Sequence, residues 1–593
     1  MSVFRRIQRL ALGTSLLLLL FAAGLFALPY FVPERDIREA LTRSLVSAAG
    51  VEPRIKGEPR FSLLPRPSIR LDGIHFGEGE PGGFSSGSVQ ATIRVLPLLF
   101  GQVEIASLVF ERPRVPVEIG NDGIRLVGVP LQLPAGAADS ARPEIRIVDG
   151  IAELRGNERS EPLSAIDGSF VWQGTDLTAK GSFRWRGIPV AATLLIADSN
   201  AIGSGGRSPL RLRLEAEPLR IGFEGGLAFR KGIQAEGTLA ADSNSLRAAL
   251  AWAGVEPPTK GGFGPFSLKS RAAFTPAGLS LSALSVEIDG NRAQGALTLT
   301  REGDRPLLQG TLASETADFS RYASGFSMKG ADGRNWNEAP LDMKALEAFD
   351  LDLRLSAGKI LFNKVEITKV AMAAAVRGGR FSLSIGEAQV FGGALRATAA
   401  VGSAGTEPEV KLEGALRNFA ADRGLGELTG IRNLEGTGSF TFSLAGSGTS
   451  VSAISHKLQG SAEIAIRNGA LTGFNVEQIL RRVERKPLKG LADLRGGRTP
   501  FDRFIAKLQV NDGSVSVQEA EMQNPLLRVT LSGLASIPRR DLDLRGIASL
   551  IRPSANSGDA ASFDLPFMLR GSWDDPSLAP DLAAFIRRSE LQR

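Results

Sequence analysis

The sequence predicts a mainly β fold: an N-terminal transmembrane helix followed by an elongated antiparallel β-sheet body, hairpin-rich, forming a groove or a sandwich, with a few short helices. Three observations predict it. Residues 10–33 carry no charge, apolar residues recur with period two from about Arg60 onward, and seven Asp-Gly pairs punctuate the alternating runs.

The uncharged run follows Arg5, Arg6 and Arg9. About 20 apolar residues suffice to cross a bilayer core as a helix, and basic flanks stay cytoplasmic. The expectation is therefore a cytoplasmic stub over 1–9, a single-pass membrane anchor over 10–33 and a body beyond Pro33 on the far side of the membrane. The competing reading is a cleaved secretory signal, whose apolar core usually spans about 7–15 residues. This run is longer and ends on bulky Leu28, Pro29, Tyr30, Phe31 and Val32, although Ala22 and Gly24 offer small residues inside it. Behind it, Ile37, Leu41 and Leu45 recur at helical spacing, predicting a short amphipathic helix over 35–49.

In the body, Leu210, Leu212 and Leu214 alternate with Arg211, Arg213 and Glu215, and the pattern resumes with Ile221 and Phe223. Leu351, Leu353 and Leu355 alternate in the same way with Asp350, Asp352 and Arg354. Such alternation marks antiparallel strands with one face against apolar material. Asp-Gly pairs at Asp72, Asp122, Asp149, Asp167, Asp289, Asp332 and Asp512, with Asn468-Gly469, supply the positive φ angles of tight hairpin turns. Helical interruptions are expected at 343–348, from Asn475, where Asn475 and Gln478 form a capping pattern ahead of Ile479, Leu480 and Val483, and at 581–588. A Gly/Pro/Ser-rich stretch over 324–340 reads as a linker between a β region at 34–323 and a second β domain at 341–593.

Composition excludes several kinds of chemistry. The chain has no cysteine and only two histidines, His75 and His456. Disulfides, thiolate metal sites and cysteine nucleophiles are thus ruled out, and a zinc site or catalytic triad has almost nothing to use. Gly83-Phe84-Ser85-Ser86-Gly87 fits G-x-S-x-G, but it follows a loop and precedes a strand, whereas a nucleophile elbow needs strand before and helix after. Gly77 to Gly82 formally fits a dinucleotide fingerprint, yet Pro81 and two glutamates stand where phosphate would bind. The net charge of +7 is a small excess over 70 basic and 63 acidic residues, and no aromatic-interleaved basic patch for nucleic acid is visible. Arg481, Arg482 and Arg485 are candidates to meet lipid headgroups or an acidic partner, or form a solvated helix end. Phe outnumbers Tyr 31 to 2, which suits dry or greasy faces or reflects composition bias.

Phe61-Ser62-Leu63-Leu64-Pro65, continuing through Ile69, Ile74-His75-Phe76-Gly77 and Val95-Leu96-Pro97-Leu98-Leu99-Phe100-Gly101 to Pro113, resembles the N-terminal pattern of the AsmA family. Pro340-Leu341-Asp342 through Leu395, and Leu458-Gln459-Gly460 through Gly469, Gly473, Phe501 and Gly513, resemble that family's C-terminal domain. The resemblance implies an inner-membrane-anchored periplasmic protein of outer-membrane biogenesis, distantly related to bridge-type lipid carriers. It brings no catalytic residue and no cofactor.

On this reading Leu212, Leu214, Ile221, Phe223, Leu351, Leu353 and Leu355 are lipid-groove candidates, where acyl chains of a phospholipid or other envelope lipid would lie. A plain sandwich core would use the same residues. The alternative function is a non-transporting scaffold or regulator of outer-membrane protein targeting and assembly, with assembly proteins as partners.

Overall fold

The computed structural model describes the chain from residue 53 to 586 except for several intervals, the longest being 127–141, 486–495 and 553–559. Among the described residues are thirty strands and eight short helices. The longest of these helices, Val476–Arg485, has ten residues.

No helix among the described residues is long and apolar enough to cross a membrane. The fold class is corrected accordingly: a mainly β chain with short helices, containing no membrane-spanning helix as a described element. The physical reason is that apolar residues of the body are spent at period two on strands, so no helix approaches the roughly 20 residues a span requires. Single-pass inner-membrane topology loses its structural support in the same way. The expected anchor at 10–33 and the amphipathic helix at 35–49 lie outside the described residues.

The chain divides into two compact units, one taking in residues up to 256 together with 264–281, the other 257–263 together with 282–593. Among the described residues neither contains a second sheet. In the first unit, strands from Ser68–Phe76 to Phe266–Thr275 pair antiparallel with their chain neighbours, except that the short Gly123–Leu126 folds back on the end of Ile105–Gly120, which itself runs parallel to Glu144–Arg155. In the second, Arg305–Asp318 runs parallel to Asp350–Phe362, and an antiparallel ladder then continues to Asp575–Pro580. These two parallel joins correct the all-antiparallel expectation. A parallel join needs a long crossover, here 121–143 and 319–349.

The second crossover is pinned along the strand ends of its own unit. Leu341 N–H donates to Thr449 O at 2.8 Å, Ser452 N–H to Asn337 O at 2.9 Å, and Pro340 bridges to Ser450. The helix expected at 343–348 forms over Lys344–Glu347.

Several of the expected turn signals prove to be irregularities inside strands. Asp289 and Asp512 do turn hairpins with φ of 55° and 48°, but Asp149 and Asn468, at 51° and 49°, sit within Glu144–Arg155 and Gln459–Thr472. Positive φ serves a β-bulge as well as a turn, and a bulge re-aims a strand without ending it. Gly460 shows why some positions must be glycine: its φ is 139° and a Cβ there would stand 2.0 Å from the Ser443 carbonyl oxygen across the ladder.

Three helices matter for the faces of the second unit: α1, Ala421–Thr429; α2, Val451–His456; and α3, Val476–Arg485. α3 starts as the sequence predicts, with Gln478 N–H donating to Asn475 Oδ1 at 2.9 Å. Its Leu480 and Val483 are buried in the largest core cluster with Phe419, Ile466, Phe501 and Leu527.

Candidate functional site

Strand register decides which side chains share a face. In the first unit Leu212 lies opposite Phe223, and Leu214 opposite Ile221. The same rows continue to Leu194 and Ala192 on one side and to Leu239 and Ala241 on the other. All four sequence candidates here are therefore brought together in two adjacent apolar rows. Intervening residues point to the opposite face, where Arg211 pairs with Glu224 at 2.8 Å and Arg220 with Asp242 at 2.6 Å.

In the second unit Leu351, Leu353 and Leu355 stand opposite Val376, Ala374 and Met372 in three consecutive rows. The Leu355 row runs Leu312, Leu355, Met372, Ile385, Ala397, Gly414, Phe442, Ala462, Leu508 and Val517, without a polar residue. One residue along, the other face carries Arg354, Ser384, Thr398, Glu413 and Ser443. Asp352 belongs to it and pairs with Arg377 at 3.4 Å.

Burial separates this row from an ordinary core. Every residue of the Leu355 row is half-buried. By contrast Ile466, Met522, Val529, Ala548 and Leu565, which share the cluster holding Leu480 of α3, are 0, 7, 8, 3 and 7% exposed. The helices therefore seal one margin of the apolar face and leave its middle accessible. Each methylene laid on such a surface gains about 0.8 kcal/mol on leaving water. The arrangement can hold flexible hydrocarbon, and the polar face can stay in water.

The basic candidates sit elsewhere. Arg481, Arg482 and Arg485 are exposed on the outer side of α3. Arg481 is already engaged by Glu477 at 2.8 Å, one helical turn back. These residues belong to the element that covers the face and are not among the apolar rows.

No nucleophile geometry accompanies the serine motif. Ser85 opens the strand Ser85–Ile93 and faces His75 across the ladder, but Arg54 and Arg114 flank that rung and no carboxylate stands in it. His456 Nδ1 lies 2.9 Å from Ser452 O in its own helix. Among the described residues no group of three His, Cys, Asp or Glu converges to hold a metal ion.

One titrating group is markedly perturbed. Burial pushes the Tyr322 phenol well above its usual range, and its hydrogen bond to Asp289 adds to the shift. Asp289 also accepts from Phe263 N–H at 2.8 Å, so the site locks a loop to a hairpin tip.

Most members of the long row, such as Met372, Ile385, Phe442 and Leu508, escape a reading of the sequence alone. Each strand shows its alternation, but only pairing shows that ten strands put the apolar side in line.

The sequence model of the AsmA family matches residues 1–143 and 292–520. Protein AsmA of Escherichia coli (strain K12) is 20% identical over 613 aligned residues, covering 97% of this chain and 93% of that protein. No solved structure matches the chain.

Proposed function

Because the chain belongs to the AsmA family, we propose that it handles lipid in outer-membrane biogenesis, sheltering acyl chains along the apolar faces of its two sheet units while headgroups remain in water. This reading calls on no catalytic step: the chain has no cysteine, and among the described residues no group of His, Asp or Glu could hold a metal ion. The observation that carries the proposal is the Leu355 row, apolar across ten strands and only half-buried along its length. Monomeric soluble proteins rarely leave continuous apolar surface of that kind unless something binds it. The row crosses the strands, so a hydrocarbon chain lying on it would meet a fresh side chain about every 4.8 Å.

The experiment is native mass spectrometry of the full-length protein purified in a gentle detergent, followed by extraction of what it carries. Copurifying phospholipid, lost in a variant with Leu353→Asp, is the expected result. A protein that is reproducibly lipid-free before and after incubation with phospholipid vesicles would sink the reading and favour a scaffold in outer-membrane protein assembly.

A further inference from the structure

The indoles of this chain mostly end on backbone carbonyls. Trp252 Nε1 donates to Trp185 O at 3.0 Å, Trp336 Nε1 to Ile537 O at 2.7 Å and Trp573 Nε1 to Asp541 O at 3.0 Å. Trp172 departs from this pattern: its Nε1 is shut off from solvent and has no hydrogen-bond partner among the described residues. Buried donors are paired in the great majority of cases, so an orphan calls for a physical reason. Packing alone does not supply one. The chain uses 31 Phe against 5 Trp, and a phenylalanine would fill the place without stranding a donor.

The position of Trp172 suggests the reason. It lies opposite Leu177 in a row that continues through Ile196 and Leu210. The neighbouring row on the same face is the half-exposed one containing Leu194, Leu212 and Phe223. Trp172, Leu194 and Phe223 all pack on the same buried cluster of Leu177, Ile196, Ile202 and Leu210. Every side chain of that cluster is apolar, so none of them offers an acceptor. The orphan donor thus stands at the margin of the accessible apolar row, one row from where an acyl chain would lie.

We propose that the Trp172 side chain, whose donor is closed off at rest, turns toward the neighbouring row so that Nε1 hooks the carbonyl oxygen at the head of an acyl chain, fixing where along the face of the first unit an ester-linked lipid stops. This rests on the lipid reading of the apolar face. A hydrocarbon row alone is blind to position, because one methylene resembles the next. A single donor at its margin gives the ligand a register.

The test places the photoreactive amino acid p-benzoylphenylalanine at Leu212 or, as a reference in the other unit, at Leu353 of the full-length protein. The probes are vesicles of dioleoyl phosphatidylethanolamine or of its diether analogue, which lacks both ester carbonyls. At Leu212 the diester should crosslink about fivefold better than the diether, the effect of one hydrogen bond. Trp172→Phe should bring that ratio to about one, leave the ratio at Leu353 unchanged, and hold or raise the melting temperature. A diester preference at Leu212 that survives Trp172→Phe, or a lowered melting temperature in that variant, would overturn the hook while leaving the lipid reading intact. Absence of lipid at both positions would overturn the lipid reading itself.

Discussion

Trp336 donates its indole N–H to the carbonyl of Ile537 at 2.7 Å, joining residues 201 positions apart in the chain. Arg540 lies over the same ring at 5.8 Å. Trp336 belongs to the crossover between the two parallel strands of the second unit, and Ile537 and Arg540 to the tip between Leu527–Ser536 and Asp541–Arg552. The pair therefore braces ladder strands that are far apart in register. We expect Trp336→Phe to cost about 1 kcal/mol, the lost hydrogen bond, and Trp336→Ala about 2–3 kcal/mol as packing is lost too. Urea midpoints would measure both; an unchanged midpoint in the alanine variant would show that the crossover braces nothing.

A charge on the accessible rows should separate lipid binding from folding. Leu214 and Leu353 are half-buried, so Leu214→Asp and Leu353→Asp can hydrate their carboxylates and should leave the circular dichroism spectrum intact while removing bound lipid. Leu480 is 0% exposed. Leu480→Asp buries an unpaired charge and should cost more than about 3 kcal/mol. Equal stability of the three variants would mean that the faces are not differently covered.

The cap of α3 offers a milder test. Asn475→Ala deletes the acceptor for Gln478 N–H and should lower stability by about 1 kcal/mol, within the usual range for a lost N-cap. Because Leu480 and Val483 seal one margin of the apolar face, hydrogen exchange at Leu480 should accelerate more than at Leu355. Equal acceleration would argue that α3 and the sheet open together.

Two glycines with positive φ should respond very differently to alanine. At Gly174, φ 63°, a Cβ would meet nothing within 4 Å, and Gly174→Ala should cost about 1 kcal/mol from backbone strain alone. At Gly460 the same change drives a Cβ to within 2.0 Å of Ser443 O and should cost about 3 kcal/mol or more, as the ladder parts. Thermal melts of the pair would measure the difference; similar losses would count against the close approach of these strands.

Tyr322 predicts an alkaline limit. Its folded-state pKa is raised, first by burial and then by Asp289, so the unfolded chain loses this proton at lower pH than the folded one. The stability it contributes is complete below the ordinary phenol pKa of about 10 and declines as pH rises above it. Tyr322→Phe should flatten the stability profile above about pH 10 relative to the unchanged protein. A profile of the same slope in both would remove Tyr322 as the cause.

Much of this fold is legible in local pattern. Leu212 and Leu214 alternate with arginines, so the facing of that strand follows from period two, and Asn475 announces a helix start by its side-chain chemistry. What was not legible depends on pairing. Asp149-Gly150 and Asn468-Gly469 carry the chemistry of a turn, yet neighbouring strands run past them and make bulges of them. The parallel joins are equally hidden, because no local signal distinguishes a crossover from a long hairpin loop. Of the site, the leucines of two strands could be read directly, but not their alignment with Phe442 or Leu508, nor the orphan donor of Trp172. Those depend on register and on what else is packed nearby.

The antiparallel ladder of the second unit, in which each strand from Asp350–Phe362 to Asp575–Pro580 pairs with its neighbours in the chain, carries an evolutionary consequence. A hairpin added between two rungs enters and leaves on the same side, restores strand direction, and adds two positions to every row without shifting any other pairing. Quasi-one-dimensional folds vary in this way, by unit count rather than by redesign of a core. Span is then a heritable trait set by duplication and loss of hairpins, and homologues of quite different length can keep the same cross-section.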